Sequence, residues 1–185
     1  MKICVMISGS GTNLQSLIDA SKEGFFRSKI ELVASNKENA YGLERAKNED
    51  IETYIIKSEE EFINKLQEKD IDLIVMAGYL KVIGTDLIEK YKGRIINIHP
   101  SLLPSYGGKG MYGLKVHEAV LRNNEKITGA TVHHVTEDVD EGPVIISESI
   151  YIDYEKVKSP EDLQKEVLEI EHNILKKAIK HLEKL

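Results

Sequence analysis

Lys2-Ile3-Cys4-Val5-Met6-Ile7-Ser8-Gly9-Ser10-Gly11-Thr12-Asn13 decides how this chain is built. The apolar run over 2–7 predicts a strand, and a helix follows over 13–21. The glycines between them let the backbone turn tightly and bring its N–H groups close to an oxyanion. The positive end of the helix adds favourable potential there. Serine, threonine and asparagine add side-chain donors, so the loop predicts a phosphate site, with a turn that only caps the helix as the alternative. A dinucleotide fingerprint would place glycine where this chain has Leu14. The next strand ends in Ser35-Asn36-Lys37, with no acid to hold a ribose diol, and no Gly-Lys-Ser/Thr follows the loop. Those absences favour a single phosphate over NAD or ATP.

Outward from this unit, strands are predicted over 30–35, 53–56, 72–76 and 94–98, with helices over 41–50, 58–69 and 84–91. Strands alternating with helices predict a mostly parallel, Rossmann-like sheet covered on both faces. Two longer strands, 127–135 and 144–152, flank an acidic turn and predict an antiparallel pair. Ser159-Pro160 opens a long last helix, expected to reach Leu185, whose Leu163, Val167, Ile170, Ile174 and Ile179 form an apolar stripe. The expectation is one three-layer α/β domain over 1–185. Ligands bind such sheets beyond the carboxyl ends of the strands, where 8–13, 77–81 and 97–104 should gather.

A chain of 185 residues, 41% hydrophobic and 30% charged, has the composition of a single soluble domain able to bury a full core. The net charge of −6 argues against nucleic acid or an anionic membrane as partner. Cys4 is the only cysteine and sits among apolar neighbours, which predicts an inert core thiol. No spanning apolar run and no signal peptide are evident, so the expected home is the cytoplasm. Monomer and homodimer remain open.

Asn97-Ile98-His99-Pro100-Ser101-Leu102-Leu103-Pro104 carries the chemistry. In a strand, residues two apart share a face, so the Asn97 amide and the His99 imidazole should aim at one spot. A donor beside a group titrating near neutrality suits developing negative charge. In the turn Asp138-Val139-Asp140-Glu141-Gly142-Pro143, acids are usually solvated; the functional reading is that one leans on His99, raising its pKa and favouring the charged donor. His133 and His134 are adjacent on a strand and face opposite ways, so they cannot share a metal. His117 and His181 are expected on helix surfaces. Glu171 is expected on a solvated helix face unless that helix borders the cleft. No spacing of metal ligands appears, so no metal is expected.

These segments, together with Gly42-Leu43-Glu44-Arg45-Ala46, Ala77-Gly78-Tyr79 and Val144-Ile145, stand in an order that resembles the phosphoribosylglycinamide formyltransferases. Those are the folate-dependent enzymes of purine synthesis, and the resemblance covers nearly the whole chain. It implies that the amine of glycinamide ribonucleotide takes the formyl group of 10-formyltetrahydrofolate. It also implies a catalytic set of Asn97, His99 and Asp140. Gly11, Thr12 and Asn13 would bind the ribonucleotide phosphate, and Glu171 would lie near the glycinamide end. Leu80, Lys81, Val82 and Ile83, with Asn97, would hold the folate. Many relatives have Met-Arg where this chain has Leu80-Lys81, and the glycine-rich link over 105–113 is longer than usual. A methionyl-tRNA formyltransferase and a formyltetrahydrofolate hydrolase share the chemistry, but those families carry an added C-terminal or N-terminal domain. A nonenzymatic nucleotide-binding module would not require Asn97, His99 and Asp140 together.

Overall fold

The computed structural model describes residues 1–184. Its strands are β1 (Lys2–Ile7), β2 (Lys29–Ser35), β3 (Glu52–Ile55), β4 (Leu73–Met76), β5 (Ile95–His99), β6 (Ile127–His134) and β7 (Val144–Tyr151). Its helices are α1 (Thr12–Lys22), α2 (Tyr41–Lys47), α3 (Glu59–Glu68), α4 (Thr85–Lys90), α5 (Leu114–Arg122) and α6 (Pro160–Leu182). The strands form one sheet in the order β3-β2-β1-β4-β5-β6-β7. Pairing is parallel from β3 to β5 and antiparallel from β5 to β7.

Alternation along β1 explains the three layers. Ile3, Val5 and Ile7 pack with Leu14 and Leu17 of α1, Leu43 of α2 and Leu163, Val167 and Ile174 of α6. Cys4 and Met6 face the opposite layer, with Phe62 and Leu66 of α3 and Leu87 of α4. A strand apolar on both faces is what a parallel sheet sandwiched between helices demands. The long helix α6 starts with a capping box: Ser159 accepts from the Asp162 N–H, and Asp162 returns a bond to the Ser159 N–H. It buries Leu163, Val167, Ile170, Ile174, Leu175 and Ile179, each such side chain contributing about 1.5–3 kcal/mol when removed from water.

The strand and helix expectations agree with the structure to within a few residues at each end, with one omission. No bounds for α5 follow from the sequence, although His117 is expected on a helix, because the glycine-rich stretch before it obscures its start. His117, expected on a helix surface, is fully buried, since α5 turns that face inward beside Val116 and Val120. The expected end of the last helix at Leu185 lies outside the described residues, and α6 ends at Leu182. Among the described residues, no helix is long and apolar enough to cross a membrane.

Candidate active site at the carboxyl edge of the sheet

From β1 the chain builds outward through β2 to β3, whereas β4 and β5 build to the other side. Strand order therefore reverses between β1 and β4, and a crevice opens beyond their carboxyl ends. Ser8 ties the loops there together. Its hydroxyl donates to Asn36 Oδ1 at 2.6 Å and accepts from the Leu80 N–H at 2.9 Å. Gly11, with φ of 70°, caps α1 without a side-chain bond. A Cβ at Gly11 would sit 2.6 Å from the Gly42 Cα, so glycine is demanded by the approach of α2 as well as by the turn. The first turn of α1 thus presents open N–H groups to the crevice.

The centre of the site comes from β5 and β6. Ile96 and Ile98 enter the core, leaving Asn97 and His99 on the other face. Antiparallel pairing sets His133 directly opposite Asn97. The His133 Nδ1–H donates to the His134 carbonyl at 2.9 Å, so its Nε2 accepts from Asn97 Nδ2 at 3.2 Å. Asp140, in the β6–β7 turn at φ of 61°, brings Oδ2 to 3.5 Å from His99 Nδ1 and Oδ1 to 3.6 Å from His133 Nε2. His99 Nε2–H donates to the Tyr106 carbonyl at 2.8 Å, and the Gly108 N–H donates to Asp140 Oδ2 at 2.9 Å. Of the acids in the turn, Asp140 is the one that leans on the imidazole.

The charge state differs from expectation. Asp140 does push the His99 pKa up, but burial outweighs it and the net direction is down. That direction favours the neutral ring, whose Nε2–H is committed to the Tyr106 carbonyl while Nδ1 faces the carboxylate. Burial raises Asp140, yet His133, His99 and the Gly108 N–H together hold it below the ordinary carboxylate range. His117 is driven down to about 4 by burial and by the neighbouring His99. Glu171 is buried rather than solvated, because α6 borders the cleft. Burial raises it and the Asn13 Nδ2–H bond at 2.8 Å partly offsets that rise, leaving it at about 7. The other atom of the Asn13 amide, Oδ1, is buried without a partner.

One cavity of ≈ 490 Å³ joins these groups. Thr12, Asn13 and Glu171 line it together with Asn97, His99, Asp140 and His133. Leu80, Lys81, Val82 and Ile83 line it as well, and 69% of Val82 and 49% of Leu80 is exposed. Gly11, packed against Gly42, does not line the cavity, whereas Ser10, Thr12 and Asn13 do. His133 was passed over in the sequence because its partner is set by the pairing of β5 with β6, which leaves no local mark. Gly108, Met111 and Tyr112 also line the cavity. Their signal was the glycine-rich stretch after Pro104, too irregular to place by spacing.

The family model described as formyl transferase matches residues 1–179. The chain is 38% identical over 189 residues to phosphoribosylglycinamide formyltransferase of Haemophilus influenzae, covering 97% of this chain and 85% of that protein. It is 33% identical over 183 residues to the chloroplastic phosphoribosylglycinamide formyltransferase of Arabidopsis thaliana, covering 94% of this chain. The match spans only 62% of that plant protein's length. The crystal structure of glycinamide ribonucleotide transformylase 1 from Symbiobacterium toebii superposes with a TM-score of 0.89 at 35% identity, over 97% of this chain and 86% of that one.

Proposed function

The chain belongs to the formyl transferase family, and from that premise we propose that it moves the formyl group of 10-formyltetrahydrofolate to the amine of glycinamide ribonucleotide. The observation that carries this proposal is one cavity with three matched parts. An anion-seeking helix start with a buried acid beside it, an apolar segment open to solvent and an amide–imidazole–carboxylate cluster all line it. The ribonucleotide phosphate would sit at the first turn of α1, near Gly11, Thr12 and Asn13. Glu171 would face the glycinamide end, and a flat pteridine would enter between Leu80 and Ile83.

The amine nitrogen attacks the formyl carbon, a C–N bond forms and the carbonyl oxygen takes the negative charge. The His133 imidazole already fixes the Asn97 amide, which spends one N–H on that ring and keeps the other for the oxyanion. Because Nε2 of His99 is committed to the Tyr106 carbonyl, Nδ1 is the working nitrogen. The attacking amine gives up a proton, Asp140 passes it to Nδ1, and the resulting imidazolium donates to the oxyanion. Collapse breaks the bond to the folate N10, which receives the proton as tetrahydrofolate leaves. No enzyme nucleophile is used. Each preorganised oxyanion donor commonly contributes roughly 100- to 1000-fold to turnover, and alignment of two bound reactants supplies much of the rest.

The test is a formyl-transfer assay with glycinamide ribonucleotide, run beside methionyl-tRNA and water as acceptors. Formylated ribonucleotide, dependent on 10-formyltetrahydrofolate and formed well above the two controls, is the expected product. Formylation of the tRNA alone, or release of free formate alone, would reject the assignment.

A further inference from the structure

Tyr106 does not line the cavity, yet its main chain touches the reacting centre and its side chain is fastened elsewhere. The phenol donates to Glu125 Oε1 at 2.6 Å, the length of a charge-assisted bond, and accepts from Asn123 Nδ2 at 2.8 Å. Both partners lie in the turn between α5 and β6. The backbone of Tyr106 has φ of 56°, a conformation a bulky residue adopts only where its surroundings hold it. That turn of the chain aims its carbonyl at His99 Nε2, and two residues later aims the Gly108 N–H at Asp140 Oδ2. Gly107 lies between them in sequence: a Cβ there would stand 2.5 Å from Leu103 Cδ2 and 3.3 Å from the Asp140 Cβ.

We propose that Tyr106 is a positioning residue, whose phenol, pinned by Glu125 and Asn123, sets the main-chain arc 106–108 that fixes the His99 tautomer and the Asp140 rotamer. The arc acts on both side chains at once, because an accepting carbonyl and a donating N–H meet the two members of the pair. The ring also packs against the core, so the two hydrogen bonds of the phenol supply the directional hold on this left-handed backbone, and their loss loosens it. The His99 ring is then free to carry its proton on either nitrogen.

The inference rests on the proposed function only in giving His99 and Asp140 their catalytic roles. Its primary test is therefore a spectroscopic one. Nitrogen-15 spectra of the histidine rings in the ligand-free protein should show His99 protonated at Nε2. Tyr106→Phe and Glu125→Ala should give an averaged, two-tautomer signature. Glu125→Gln, which still offers the phenol an acceptor, should keep the wild-type pattern. In formyl transfer, Tyr106→Phe should lower kcat by about 10-fold, the worth of one lost hydrogen bond, with both KM values within about 2-fold. A wild-type His99 signature in folded Tyr106→Phe overturns the proposal, as does a fall in kcat matched by an equal rise in KM. Should Tyr106→Phe fail to fold, the two Glu125 variants decide: a pattern altered in Ala and kept in Gln supports the proposal, and any other outcome rejects it. Absence of formyl transfer in the wild-type protein would reject the function while leaving the tautomer test standing.

Discussion

At the scale of single residues, burial governs the site as much as charge does. Asn97 and His99 could be read from their spacing, because strand geometry obliges alternate residues to share a face. The protonation of His99 could not, since the desolvation that lowers its pKa sums over neighbours far apart in sequence. Glu171 makes the same point with the opposite sign. Its pKa rises from an ordinary 4.5 to about 7, so between those values the folded chain keeps a proton that the unfolded chain releases. The stability that comes from this group is complete below about pH 4.5 and is lost as pH climbs through about 7. Urea midpoints measured from pH 4.5 to 8 should therefore fall less steeply for Glu171→Gln than for the native chain. Parallel curves would mean that Glu171 ionises in the folded protein as it does in water.

At the scale of elements, the β6–β7 hairpin is the part on which the reacting groups depend most. Gly142 lies where a Cβ would collide with the His134 carbonyl oxygen, and that carbonyl is the acceptor for the His133 ring. Gly142→Ala must push this strand end aside, disturbing His133, Asn97 and Asp140 together. We expect a loss of roughly 2 kcal/mol or more in stability, of the size seen for overpacking, and a fall in formyl transfer beyond what the fraction unfolded explains. Denaturant titration and turnover on the same sample check both. Turn residues made the hairpin legible in the sequence: Gly142-Pro143 between two β-rich runs allows little else. Its pairing with β5 was not legible, since nothing local to 127–134 names the strand that will lie beside it. For a different reason α5 had no predicted bounds: the glycine-rich stretch before it hides its start, and buried His117 adds a polar type to its inward face.

At the scale of the molecule, alternation of short apolar runs with amphipathic ones disclosed the layers, and the loops at the strand ends disclosed the working edge. Strand order was left undetermined, because it depends on which faces dock once all the elements exist. Cys4 offers a way to test how cooperative the whole is. It lies fully buried on β1, between β2 and β4, and burial pushes its thiol far above the ordinary range. A thiol reagent should label it only through global opening, so the free energy obtained from labelling rates should equal that from denaturant melting. A clearly smaller value would reveal a partial opening around the central strand. The distances along the chain have one more consequence. The polar groups that line the cavity are drawn from residues 97–99, 133–140 and 171, and the last of these rides on the helix that also roofs one side of the sheet. A chain interrupted before α6 therefore lacks one wall of the cavity, and the proposed transfer waits on that helix to dock.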